Sequence, residues 1–212
     1  MNLHNTTPNM NFRNLAASLL LGGALLLSAC AGKKETAEHH HEGHDTAAAK
    51  TETAAAPAGP QYAVDAAFQQ QLSTVFAAYV KLKDAFVSTD AAKVKTEAAA
   101  TAQALAAVDM KLVTDAAHHD WMSYLQGLEA SLKQIQGTGD IEAQRRAFKS
   151  LSDVFYKAIK AYGLGGTAAF YEYCPMAFNN EGAFWLSDQE AIRNPYFGDK
   201  MLTCGEVKEK MP

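Results

Sequence analysis

Cys174 and Cys204 each stand beside a methionine, in Cys174-Pro175-Met176 and in Met201-Leu202-Thr203-Cys204. Two residues apart on an extended chain, Cys174 and Met176 point the same way. Three apart on a helix or turn, Met201 and Cys204 share a face. Two thiols and two thioethers form a soft donor set, and soft sulfur selects Cu⁺ over harder ions. Zn²⁺ favours thiolate and imidazole and does not choose thioethers. The same two cysteines also read as a disulfide. An exported chain sits in an oxidising compartment, and closing a loop of about 30 residues would stabilise it by roughly 3–4 kcal/mol in the chain-entropy model. The methionines would then fill the core. The two readings are compatible, because a reducible pair can bind metal when reduced.

Histidines make two further groups. His39, His40, His41 and His44 lie among Glu38, Glu42 and Asp45 in a low-complexity stretch, a set able to collect Zn²⁺, Cu²⁺ or Ni²⁺ weakly. They read equally as polar residues of a linker. His118 and His119 precede Trp121 and Met122. His118, Trp121 and Met122 are spaced to share a helix face, where imidazole, indole face and thioether could surround Cu⁺. His118 also fits a hydrogen-bonded histidine on an apolar stripe.

These groups need elements to carry them. Leu15–Leu27 is an apolar run after Arg13, too short to span a bilayer of about 30 Å and suited to a signal-peptide core. Leu27-Ser28-Ala29-Cys30 follows it and resembles the bacterial lipoprotein signal. The resemblance implies cleavage before Cys30, acylation of its thiol and a membrane-anchored lipoprotein on the periplasmic face or the cell surface. Acyl chains contribute about 0.8 kcal/mol per buried CH₂ to such an anchor. Residues 1–29 are thus expected to be the signal, 30–60 a disordered tether containing the histidine run, and 61–212 the folded domain.

Four segments of the domain keep the 3.6-residue period. Asp65–Val87 carries Phe68, Leu72, Val75, Phe76, Tyr79, Leu82 and Phe86 on one stripe. A second follows Ser88-Thr89-Asp90, with Val94, Ala98, Leu105 and Val108. A third runs from about Asp115 to Ile135, and a fourth from Ile141 to Tyr162, ended by Gly163-Leu164-Gly165-Gly166. Short connections predict an all-α, up-down-up-down four-helix bundle. The aromatic-rich segment from Ala168 onward is expected to pack on it as an irregular tail, extended near Phe170–Met176.

Tyr173-Cys174-Pro175-Met176-Ala177-Phe178, Gly182–Ser187 and Ile192–Gly205 together resemble the domain-of-unknown-function 3347 family, as do Lys81–Phe86 and the His119-Asp120-Trp121 region. The resemblance extends over roughly residues 65–210. That family's domain also occurs fused to periplasmic adaptor subunits of heavy-metal RND efflux pumps. By resemblance, Cys174, Met176, Met201 and Cys204 fall on its sulfur motifs, and copper handling is implied, with an RND-type adaptor or a metallochaperone as partner.

Composition narrows the classes. Of 212 residues, 48% are hydrophobic and 20% charged, as in globular proteins, and the net charge of −4 lacks the basic surplus of a nucleic-acid binder. No nucleophile–base pattern, phosphate loop or HExxH occurs, so no enzyme is expected. The expectation is a Cu⁺-binding lipoprotein serving metal tolerance or delivery. The alternative is a structural module pinned by a Cys174–Cys204 disulfide and docked on an envelope partner.

Overall fold

The computed structural model describes residues 59–212. Cys30 and the His39–His44 run lie outside the described residues. Four long helices come first: α1 (Ala66–Val87), α2 (Ala91–Ala106), α3 (Asp115–Gln136) and α4 (Ile141–Tyr162). Three of them start on an aspartate cap. Asp65, Asp90 and Asp140 accept hydrogen bonds from Ala67 N, Ala92 N with Lys93 N, and Glu142 N, satisfying N–H groups that the first helical turn leaves free. Gly163 ends α4 at φ +75°, its N–H donating to the Ile159 carbonyl, a backbone conformation that glycine adopts without steric cost. Val108, expected on the second helical stripe, lies just past α2 in the connection to α3 and is buried there.

The stripes meet in one aromatic core. Tyr79 stacks on Phe148 at 5.2 Å between centroids, and Trp121 meets Phe68 and Tyr162 edge-on at 5.1 and 5.8 Å. Such pairs contribute about 0.5–1.5 kcal/mol each beyond their buried area. The Tyr79 hydroxyl is paired within this core: Tyr79 Oη and Ser152 Oγ are 2.7 Å apart, and Leu186 N donates to Tyr79 Oη at 3.1 Å, whereas the Trp121 indole N–H is buried without a partner. Among the described residues, no helix is long and apolar enough to cross a membrane.

The all-α expectation is corrected from residue 169 onward. The segment forms β1 (Ala169–Cys174), a four-residue turn α5 (Ala177–Asn180), β2 (Ala183–Ser187) and β3 (Glu206–Met211). The strands pair antiparallel in the order β2-β1-β3. The irregular tail is therefore a small sheet with β1 at its centre. Aromatic residues fit a pleated, half-buried surface. Tyr171 of β1 stacks on Tyr156 of α4 at 3.8 Å and on Phe184 of β2 at 4.6 Å, which holds the sheet on the helices. In β3, Glu206, Lys208 and Lys210 are exposed and alternate with half-buried Val207 and Glu209. The charges mask a strand in the sequence. The described chain is mostly helical, with this sheet at its C-terminal end.

Candidate functional site

β1 ends at Cys174, which is fully buried and lies opposite Ala183. Cys204 is half-buried in the loop just before β3. Because β3 pairs beside β1, the two cysteines meet although 30 residues separate them. Their Sγ atoms are 2.9 Å apart, and both are free thiols. A disulfide holds its sulfurs about 2.05 Å apart. A tetrahedral metal at about 2.3 Å from each thiolate would hold them about 3.8 Å apart. The pair thus lies between the two, within about 1 Å of either.

Burial first, and the hydrogen bond and charge of Cys174 after it, together push the Cys204 thiol up to about 11. At neutral pH Cys204 keeps its proton, so any metal must displace it and binding strengthens as pH rises. The chain around Cys204 is tightly set. Its N–H donates to the Met201 carbonyl at 3.0 Å, and its carbonyl accepts from Asn194 Nδ2 at 2.7 Å. Gly205 follows at φ +145°, where a Cβ would stand 2.8 Å from Trp185 Cη2 and 2.9 Å from the Tyr173 carbonyl oxygen. Gly205→Ala is therefore expected to destabilise the domain by about 1–3 kcal/mol, read as a lower urea midpoint. An unchanged midpoint would mean that this backbone does not approach β1 and β2 so closely.

Met176 is exposed beyond the end of β1, and Met201 is half-buried in the turn that leads to Cys204. After Met176, Phe178, Asn179 and Asn180 take positive φ of 53°, 60° and 69°. Three successive non-glycine residues in that region are unusual, and such strain gathers at functional segments. The histidines sit elsewhere, on α3. His118 is half-buried, and His119 is exposed with Nδ1 3.6 Å from Asp120 Oδ1. Met122 is exposed, whereas Trp121 is fully buried between Phe68 and Tyr162, so its indole is occupied by the core. Among the described residues, no three His, Cys, Asp or Glu side chains gather as a metal-binding group.

Three residues around the site are not singled out by motif or spacing. Asn194, fully buried, is bonded to Cys204. Arg145, 4% exposed, donates through Nε to the Pro195 carbonyl at 3.0 Å. Glu172, fully buried on β1, lies opposite Trp185 and has no hydrogen-bond partner on either oxygen. A usable signal existed for two of them. Arg145 falls three residues before Phe148 on the apolar stripe of α4, and Glu172 is the lone charge in Phe170–Tyr173.

No curated protein and no solved structure matches the chain. The family model described as "Protein of unknown function (DUF3347)" matches residues 75–167. That span begins inside α1, takes in α2, α3 and α4, and ends before β1, so the sulfur pair lies beyond the matched span, which is shorter than the resemblance over 65–210. Through these helices, over residues 75–167, the chain is similar to the DUF3347 family.

Proposed function

We propose that this chain is an envelope lipoprotein, anchored through Cys30, that binds Cu⁺ for tolerance or for delivery to an RND-type efflux adaptor or a metallochaperone. Cys174 and Cys204 are the thiolate donors and Met176 and Met201 the thioether donors. His118 and His119, on α3 and apart from the sulfur pair, are read as auxiliary donors of a separate weak site, and His39, His40, His41 and His44 as a weak collector. The four long helices, joined by short connections, are read as an up-down-up-down bundle that serves as the platform for the sulfur-bearing sheet. No catalysis and no nucleic-acid binding are assigned. One observation carries the reading: two cysteines 30 residues apart meet at 2.9 Å, each two or three residues from a methionine in the sequence.

The test is a titration of reduced chain with Cu⁺ against a competing chelator, with the four tether histidines changed to alanine. Cys174→Ser/Cys204→Ser is expected to weaken binding at least tenfold. Equal affinity with and without the cysteines ends the copper reading.

A second reading rests on the same distance together with the high thiol pKa of Cys204. The pair closes to a disulfide that pins the loop before β3 to β1, and the domain docks on an envelope partner. Peptide mapping of protein taken from its native compartment separates the two. A fully oxidised pair that resists mild reductant supports the disulfide.

A further inference from the structure

Asn194 is fully buried and uses every polar group it has. Its Nδ2 donates to the Cys204 carbonyl at 2.7 Å, and its Oδ1 accepts from Tyr196 N at 2.8 Å. Its N–H donates to the Leu202 carbonyl at 2.8 Å, and its carbonyl accepts from Gly198 N at 3.1 Å. One residue therefore ties the start of the 194–204 loop to its end. Cys174 is held at the end of a paired strand. Cys204 has no strand partner, and its place depends on this loop. Closing a loop of about ten residues costs chain entropy, which these bonds offset.

We propose that Asn194 is a positioning residue of the sulfur pair, closing the 194–204 loop so that Cys204 Sγ rests against Cys174 Sγ. The proposal rests on the reading that the two cysteines act together, whether as metal donors or as a disulfide. It assigns a specific role to each end of the amide. Oδ1 orders the turn through Pro195, and Nδ2 holds the Cys204 carbonyl. An aspartate would keep the first contact and lose the second, because a carboxylate accepts but does not donate.

Glutathione provides a metal-free measurement. The reduced pair and one glutathione disulfide give the protein disulfide and two glutathione thiols: the two cysteines lose two protons and two electrons, and the glutathione S–S bond takes them. The full chain is equilibrated across glutathione ratios, and the Cys174 and Cys204 peptides are quantified by alkylation and mass spectrometry, which leaves Cys30 out of the count. Asn194→Asp and Asn194→Ala are each expected to lower the effective concentration of the two thiols at least tenfold. Thr101→Ala, which removes a buried hydroxyl bonded to the Glu97 carbonyl within α2, is expected to leave it within twofold. Aspartate behaving as wild type, or Thr101→Ala falling as far as the Asn194 variants, overturns the role of Asn194. A wild-type pair that closes no better than in denaturant overturns the pairing itself, and with it the reading on which the proposal rests.

Discussion

Arg145→Ala is expected to destabilise the domain by about 2–4 kcal/mol, the order for leaving buried acceptors without a charged donor. Arg145 is 4% exposed, and its guanidinium reaches four residues. Nε donates to the Pro195 carbonyl at 3.0 Å, Nη1 to Glu142 Oε1 at 2.6 Å, and Nη2 to Thr89 Oγ1 at 3.1 Å and the Phe86 carbonyl at 3.5 Å. Removing it leaves the Pro195 and Phe86 carbonyls without this donor in a buried site, and an unmade bond there costs more than a made one contributes. It also frees Thr89, a β-branched residue held at φ +55°, where strain of about 1–3 kcal/mol is stored. Lysine should not rescue, because a single ammonium cannot reproduce the planar fork. Urea denaturation checks this: the midpoint should fall with little change in slope. A loss below 1 kcal/mol would mean that the α1–α2 turn and the Pro195 loop hold together without Arg145.

Glu172→Gln is expected to remove a large part of the domain's pH dependence. Burial, with a smaller push from Asp188, outweighs the pull of the Lys83 ammonium on α1 and the Trp185 indole on β2, and the Glu172 carboxyl is left at about 8 instead of its ordinary 4.5. Lys83 is itself buried and pairs with Asp84 at 3.0 Å. Between pH 4.5 and 8 the folded chain keeps this proton and the unfolded chain has lost it. The unfolded state then binds fewer protons, so stability falls as pH rises through that window, at up to about 1.4 kcal/mol per pH unit. Above the window the cost is constant, because both states are ionised. Glutamine stays neutral throughout, so the variant should be more stable than wild type near pH 8.5 by on the order of 2–4 kcal/mol. Near pH 5 the two should be similar. Urea midpoints from pH 5 to 8.5 decide it. Parallel profiles for the two proteins would show that the carboxylate is solvated.

The helical part was legible because helical order is local. Phe148, Leu151, Phe155, Ile159 and Tyr162 repeat at 3.6 residues, with an aspartate before them and glycines after, and α4 runs from Ile141 to Tyr162 as that pattern requires. The sheet was less legible. β1 pairs with β2 across a short turn, but with β3 across more than 30 residues, and no local period announces such a partner. β3 also looks like a charged tail, since three of its six residues are exposed charged side chains. The register between β1 and β3 slips at Tyr171/Glu172, which no alternation in the sequence could indicate.

The sites divide in the same way. Residue type alone named Cys174, Met176, Met201 and Cys204 as soft donors. Only folding brought the two thiols to 2.9 Å, left Met176 exposed and enclosed Trp121 in the core. Asn194 stood in the sequence only within the Ile192–Gly205 stretch, and its contact with Cys204 depends on how the loop returns.

The order of amino acids by itself determined the helices, their caps and the supply of sulfur, because periodicity, capping and ligand softness belong to residues close together in the chain. Tertiary structure alone decided which sulfurs meet, which buried charges are paired and which carboxyl is stranded. Those outcomes depend on distance and dielectric between elements far apart in sequence, and neither exists until the sheet has docked on the helices.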